Sequence, residues 1–193
     1  MPVADPNRVI LTGENPFIRL SETDGAPFST NASFWRIISS GAGPGHVLYI
    51  KSELTEDRWR IYSDNIAMAR WLQNTVQGML NAELKDTSIP VTDAVFSKSG
   101  DPRDYWTETA DTVDETIALT WHDIGDPLLI HTFPNDGPDP RPYGVCTVLI
   151  PALGARVTRN GIQAKGSAFP RIREARPFST CALAFCESWT EPR

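Results

Sequence analysis

The sequence predicts a mainly β fold, an antiparallel β-barrel or strongly curved sheet of roughly ten short strands with one mid-chain amphipathic helix. Three observations carry this expectation. Short apolar, β-branched or aromatic runs bounded by turn residues recur along the chain, and only one stretch has helical periodicity. The third is that 16 prolines and 13 glycines among 193 residues supply turns without low complexity. With 40% hydrophobic and 22% charged residues, the chain suits a single domain spanning 1–193 around one buried core. No internal repeat or linker divides it.

In chain order, Met1–Asn31 is rich in proline and polar residues and reads as an irregular segment over the surface. Phe34–Ser39 and His46–Leu54 read as strands joined by the glycine-rich turn Gly41–Gly45. That turn leads from strand to strand rather than from strand to helix, which argues against a phosphate loop. Arg58–Ser63 is a third strand. Ser63-Asp64 resembles an N-cap, and Ile66, Ala69, Leu72, Val76, Met79 and Leu80 follow at helical spacing, giving a helix over about 65–80. Strand character returns at 91–98, 105–110, 115–122, 128–133, 145–150, 156–158, 162–168 and 180–187, with Asn160-Gly161 as a hairpin signal.

Trp121–Phe133 reads as a β-hairpin carrying two of the three histidines, His122 and His131, with Asp123 and Asp126 between them. A four-residue loop puts both histidines on one face and a five-residue loop puts them on opposite faces. Imidazole transfers protons near neutral pH and ligates metals. If the two share a face, His46, on the side of Leu48 and Ile50, completes a three-histidine site for one divalent transition metal with an open position for water. Without metal, His122 or His131 is the acid/base and Asp123 or Asp126 orients it. The alternative is that His131 is packed in the core and His122 ends a strand in solvent.

Arg58, Arg60 and Tyr62 alternate on one face of their strand. Facing a cavity, they form a clamp for an anionic substrate group, with Tyr62 assisting by hydrogen bonding. The apolar Trp59 and Ile61 on the other face favour an outward reading instead. Glu108, Asp111, Asp114 and Glu115 read as a solvated turn. Trp35, Trp106, Trp121 and Phe185 are candidate aromatic walls of a ligand site. No nucleophile elbow or dinucleotide fingerprint is present, so no nucleotide cofactor is expected.

The net charge of −6 is unevenly spread: 101–139 holds ten acidic residues and one basic one, and 156–176 holds six basic residues and one acidic one. Such segregation can orient a partner or let subunits associate head to tail, and its usual explanation is solvated loops. The basic stretch lacks aromatic interleaving, which argues against nucleic acid. The first 30 residues show neither a secretory signal nor an apolar span, so no membrane partner is expected and a cytoplasmic location follows. Cys146, Cys181 and Cys186 suit neither a disulfide framework nor a zinc knuckle. The leading expectation is an enzyme of the lyase, hydratase, hydrolase or isomerase kind acting on a small oxygenated molecule through histidines. The alternatives are a non-catalytic small-molecule-binding barrel, lipocalin-like in architecture only, and a module that forms a homo-oligomer or heterocomplex.

Overall fold

A computed structural model describes residues 6–135 and 141–191. Alternation of side chains along the strands gives a sheet with two apolar faces. The strands are β1 (Val9–Glu14), β2 (Phe17–Leu20), β3 (Thr30–Ser40), β4 (Gly45–Ser52), β5 (Arg60–Ser63), β6 (Val91–Asp93), β7 (Val95–Asp101), β8 (Tyr105–Asp111), β9 (Thr116–Ile124) and β10 (Leu128–Thr132). They continue with β11 (Gly144–Arg159), β12 (Ile162–Gln163), β13 (Pro170–Arg173), β14 (Arg176–Ser179) and β15 (Cys181–Thr190). The main sheet runs β6-β5-β4-β3-β1-β15-β11-β9-β8-β7, with β2, β10 and β12 attached, and β13 and β14 form a separate hairpin.

Of the two expected forms, the curved sheet is the one found, and the barrel is not closed. The end strands β6 and β7 are consecutive in the chain, separated by Ala94; β6 pairs parallel with β5 and β7 pairs antiparallel with β8. The sheet therefore curls until its ends are joined by covalent chain, while β5 and β8 stay unpaired with each other. The concave face is filled by Ile18, Phe34, Leu48, Ile117, Trp121 and Leu183, among others. Trp35, Ile37, Tyr49, Ile61 and Trp189 make a second core on the other face, against Met68, Leu72 and Val76.

Those last three belong to the expected helix, α1 (Ile66–Leu72), which continues through a π-helical turn at Gln73–Gln77 into α2 (Gly78–Leu80). Its N-cap is Asn65, whose Oδ1 accepts from Met68 N at 3.1 Å, and not Ser63 or Asp64. Because the helix covers the convex face, β5 is buried on both sides, with Ile61 and Tyr62 each 1% exposed. The outward reading of Tyr62 assumed one wet face and fails for that reason.

Three further expectations are corrected. The supposedly irregular 1–31 segment contains β1 and β2, and β1 lies inside the sheet between β3 and β15; its first five residues are outside the described ones. The runs 145–150 and 156–158 are parts of one strand, β11. Trp121–Phe133 is not a hairpin, since β9 and β10 both run antiparallel to β11 along the same edge, β9 on residues 152–159 and β10 on 145–149. Pro127 and Pro151 lack an N–H, so the ladder breaks between them, and Gly125 N donates to Pro151 O at 2.8 Å across the break. Turn-forming residues there make an interruption in an edge rather than a reversal.

Leu183 is fully buried on the concave face, whereas Leu129 is 67% exposed. Leu183→Ala is expected to cost about 2–5 kcal/mol in urea denaturation, and Leu129→Ala to stay within about 0.5 kcal/mol.

Candidate functional site

Two residues further along the strands from the concave core, side chains of the same parity become charged. Phe34 is followed by Arg36 on β3, Leu48 is preceded by His46 on β4, and Ala110 is preceded by Glu108 on β8. These three meet at one end of the concave core. Arg36 donates from Nη1 to Glu14 Oε2 at 2.5 Å, from Nη2 to Glu108 Oε1 at 2.8 Å and from Nε to His46 Nε2 at 3.3 Å. The Trp106 indole N–H adds a bond to Glu108 Oε1 at 2.9 Å.

His46 is held from its other side by Asp64. The His46 backbone N–H donates to Asp64 Oδ1 and Nδ1 lies against Asp64 Oδ2, both at 2.6 Å. With Nδ1–H on the carboxylate and Nε2 accepting from Arg36, these partners assign the neutral Nδ1–H tautomer. The ring also stacks on Phe96 of β7, centroids 5.3 Å apart and planes at 19°, so His46 spans the gap left by the unclosed sheet. Beside it, Arg36 and His46 form the wall shared by an open cleft of about 790 Å³ and a smaller recess of about 180 Å³ that also contains Phe96, Lys98 and Glu108.

Glu108 is only 2% exposed. Burial pushes its pKa above the ordinary 4.5, and Arg36 and Trp106 offset part of that rise. Arg36, 17% exposed, supplies the positive charge that a carboxylate buried here requires.

The opposite end of the core has a second cluster built by the same parity rule. Ile117 is preceded by Glu115, Val157 is followed by Arg159 and Tyr62 is preceded by Arg60. Glu115 accepts from Tyr62 Oη at 2.6 Å, from Arg60 Nη1 at 3.4 Å and from Arg159 Nε. Burial acts to raise the Glu115 pKa, but the bonds from Tyr62 and Arg159 hold it below 4.5. Burial and the Glu115 carboxylate together push the Tyr62 hydroxyl well above the usual phenol value. The solvated-turn expectation is thus wrong for Glu108 and Glu115, each of which faces an arginine inside the curl.

The other expected site residues are dispersed. His122 bonds its neighbour Asp123 at 2.9 Å and is exposed, its ring lying over Gly154. His131 is exposed on β10, 4.6 Å from the Phe133 ring. His46 lies on β4 with Asp64. The three histidines do not assemble, and among the described residues no group of three His, Cys, Asp or Glu side chains is placed to hold a metal. Trp35 and Trp121 are core residues with satisfied indoles, to Gln77 Oε1 and Phe17 O, both at 3.0 Å. Both are fully buried, Trp121 in the concave core and Trp35 in the core on the other face. Trp106 is half-buried and edge-on to Phe185. Arg58 is exposed in the turn before β5.

Sequence reasoning missed Glu14, Arg36, Asp64 and Glu108 as members of one site. The available signal was a lone arginine at inward parity in the apolar run Phe34-Trp35-Arg36-Ile37-Ile38. Comparisons with protein-family models, curated proteins and solved structures find no match to this chain. Among the described residues no helix is long and apolar enough to cross a membrane.

The two carboxyls predict opposite pH dependences. Relative to Glu108→Gln, Glu108 contributes stability fully below 4.5 and loses it as pH rises through its raised folded-state pKa. Relative to Glu115→Gln, Glu115 contributes stability above 4.5 and loses it as pH falls through its lowered folded-state pKa. Urea denaturation of each variant and the parent across roughly pH 3 to 8 should give stability differences that slope in opposite directions.

Proposed function

We propose that the protein catalyses acid–base chemistry on a small oxygenated molecule bound in the cleft beside His46, in the class of hydrolysis, hydration, elimination or isomerisation. The observation that carries this reading is the chain Asp64, His46, Arg36 at the cleft wall, with Glu108 bonded to Arg36 from the smaller recess. His46 Nε2 takes the proton once bound substrate displaces the Arg36 Nε–H from which it otherwise accepts at 3.3 Å. Asp64 keeps the ring in the tautomer that presents this lone pair and stabilises the imidazolium that forms. Arg36 meets negative charge developing on a substrate oxygen. The His46 imidazolium returns that proton on the acid side, and Glu108 holds the Arg36 guanidinium in place from the smaller recess.

A second reading is favoured by one observation, the 2% exposure of Glu108 with Arg36 bonded to three partners. In that reading the cluster is a structural clasp across the open seam, and the cleft has no catalytic role.

A panel of esters, lactones, hydroxy acids and enolisable ketones separates the two. Turnover in the parent should fall by about 10²–10⁴ in kcat/KM in His46→Gln, fall less in Asp64→Asn, and stay unchanged in His122→Gln and His131→Gln. Turnover that survives His46→Gln contradicts the assignment. Absence of turnover across the panel, with His46→Gln lowering only stability, favours the clasp.

A further inference from the structure

The break between β9 and β10 leaves a second, more enclosed cavity of about 310 Å³, which shares no lining residue with the His46 cleft. Its walls are Pro127, Leu128, Pro151, Leu153, Pro177 and Phe178. Leu128 and Phe178 form the buried part at 4% and 7% exposure, and Leu153 stands at the mouth, 54% exposed. Three of the six are prolines, which offer no N–H to a ligand, so the cavity interior selects for an apolar group. The volume lies at the low end for small-molecule pockets and suits one aromatic ring or a branched aliphatic chain.

The rim has the opposite character. Asp126 and Arg176 both line this cavity, and among the described residues neither side chain is engaged in an ion pair or a hydrogen bond. Asp126 sits in the ladder break before β10, and Arg176 opens β14, facing Arg173 across the β13–β14 turn. The Arg173 guanidinium lies 5.7 Å from the Phe178 ring centroid, which adds positive charge on the Arg176 side. One carboxylate and one guanidinium beside a largely apolar pocket complement a molecule that carries an ammonium, a carboxylate and an apolar group on neighbouring atoms.

We propose that this cavity is a binding site for a free α-amino acid with an aromatic or branched aliphatic side chain. The side chain enters between Pro151, Leu153 and Phe178. The carboxylate accepts a bidentate pair of bonds from Arg176, and the ammonium donates to Asp126. A peptide is a poorer fit, because its two charged termini do not share one α-carbon.

The test is methyl and aromatic NMR titration with L-phenylalanine, set against 3-phenylpropionate, which lacks the ammonium, and 2-phenylethylamine, which lacks the carboxylate. Saturable shifts at Leu153 and Phe178 are expected with L-phenylalanine, with affinity about fivefold to tenfold weaker for each singly charged analogue. Arg176→Gln and Asp126→Asn, both at exposed positions, should each weaken L-phenylalanine to a similar extent while leaving the core resonances in place. No saturable shift, equal affinity for all three compounds, or unchanged affinity in both variants overturns the proposal.

Discussion

A carboxylate at the end of an apolar interior needs a cation, and this protein meets that requirement at both ends of its curled sheet. Glu108 is answered by Arg36 and Glu115 by Arg60 and Arg159. These pairs matter because the hydrogen-bond ladder never closes: β5 and β8 are not paired with each other, and the end strands β6 and β7 meet only through the chain at Ala94. At one end Tyr62 of β5 bonds Glu115 ahead of β9. At the other, Arg36 of β3 bonds Glu108 of β8 and His46 of β4 stacks on Phe96 of β7. Side chains do across the seam what backbone bonds do in a closed barrel.

That arrangement also explains why the site lies where it does. A buried ion pair is expensive to desolvate and contributes little over an apolar contact of the same shape. Here the ions are concentrated at the seam, where the curl leaves a cleft and where a base, a carboxyl with a raised pKa and a guanidinium come together. Their nearness follows from the curl, since Arg36 and Glu108 belong to strands on opposite arms of the sheet.

The fold was legible to the extent that periodicity reports it. The single helix and most long strands follow from alternation or helical spacing, as in Phe34–Ser39 within β3 and the apolar positions of 66–80. β1 and β2 escaped because Asn15-Pro16 and Gly13 interrupt two strands too short to show alternation. The false hairpin at His122–His131 has a similar origin, because Gly125-Asp126-Pro127 has turn composition whether the chain reverses or skips one step of a ladder. The site was less legible than the fold. Parity placed His46 with Leu48 on the concave side, but Asp64 read as a helix cap and Glu108 as a solvated charge. Their roles depend on which strands become neighbours, and that long-range pairing leaves no local mark.

The central claim is that charge pairing across the open seam holds the curl, and a double-mutant cycle on Arg36 and Glu108 tests it most directly. Arg36→Met, Glu108→Gln and the double variant would be compared with the parent by urea denaturation near neutral pH. A coupling energy of about 1 kcal/mol or more is expected for a buried, directly bonded pair. Strict additivity, with coupling below about 0.3 kcal/mol, would mean that the sheet holds its curl without this contact and would contradict the account.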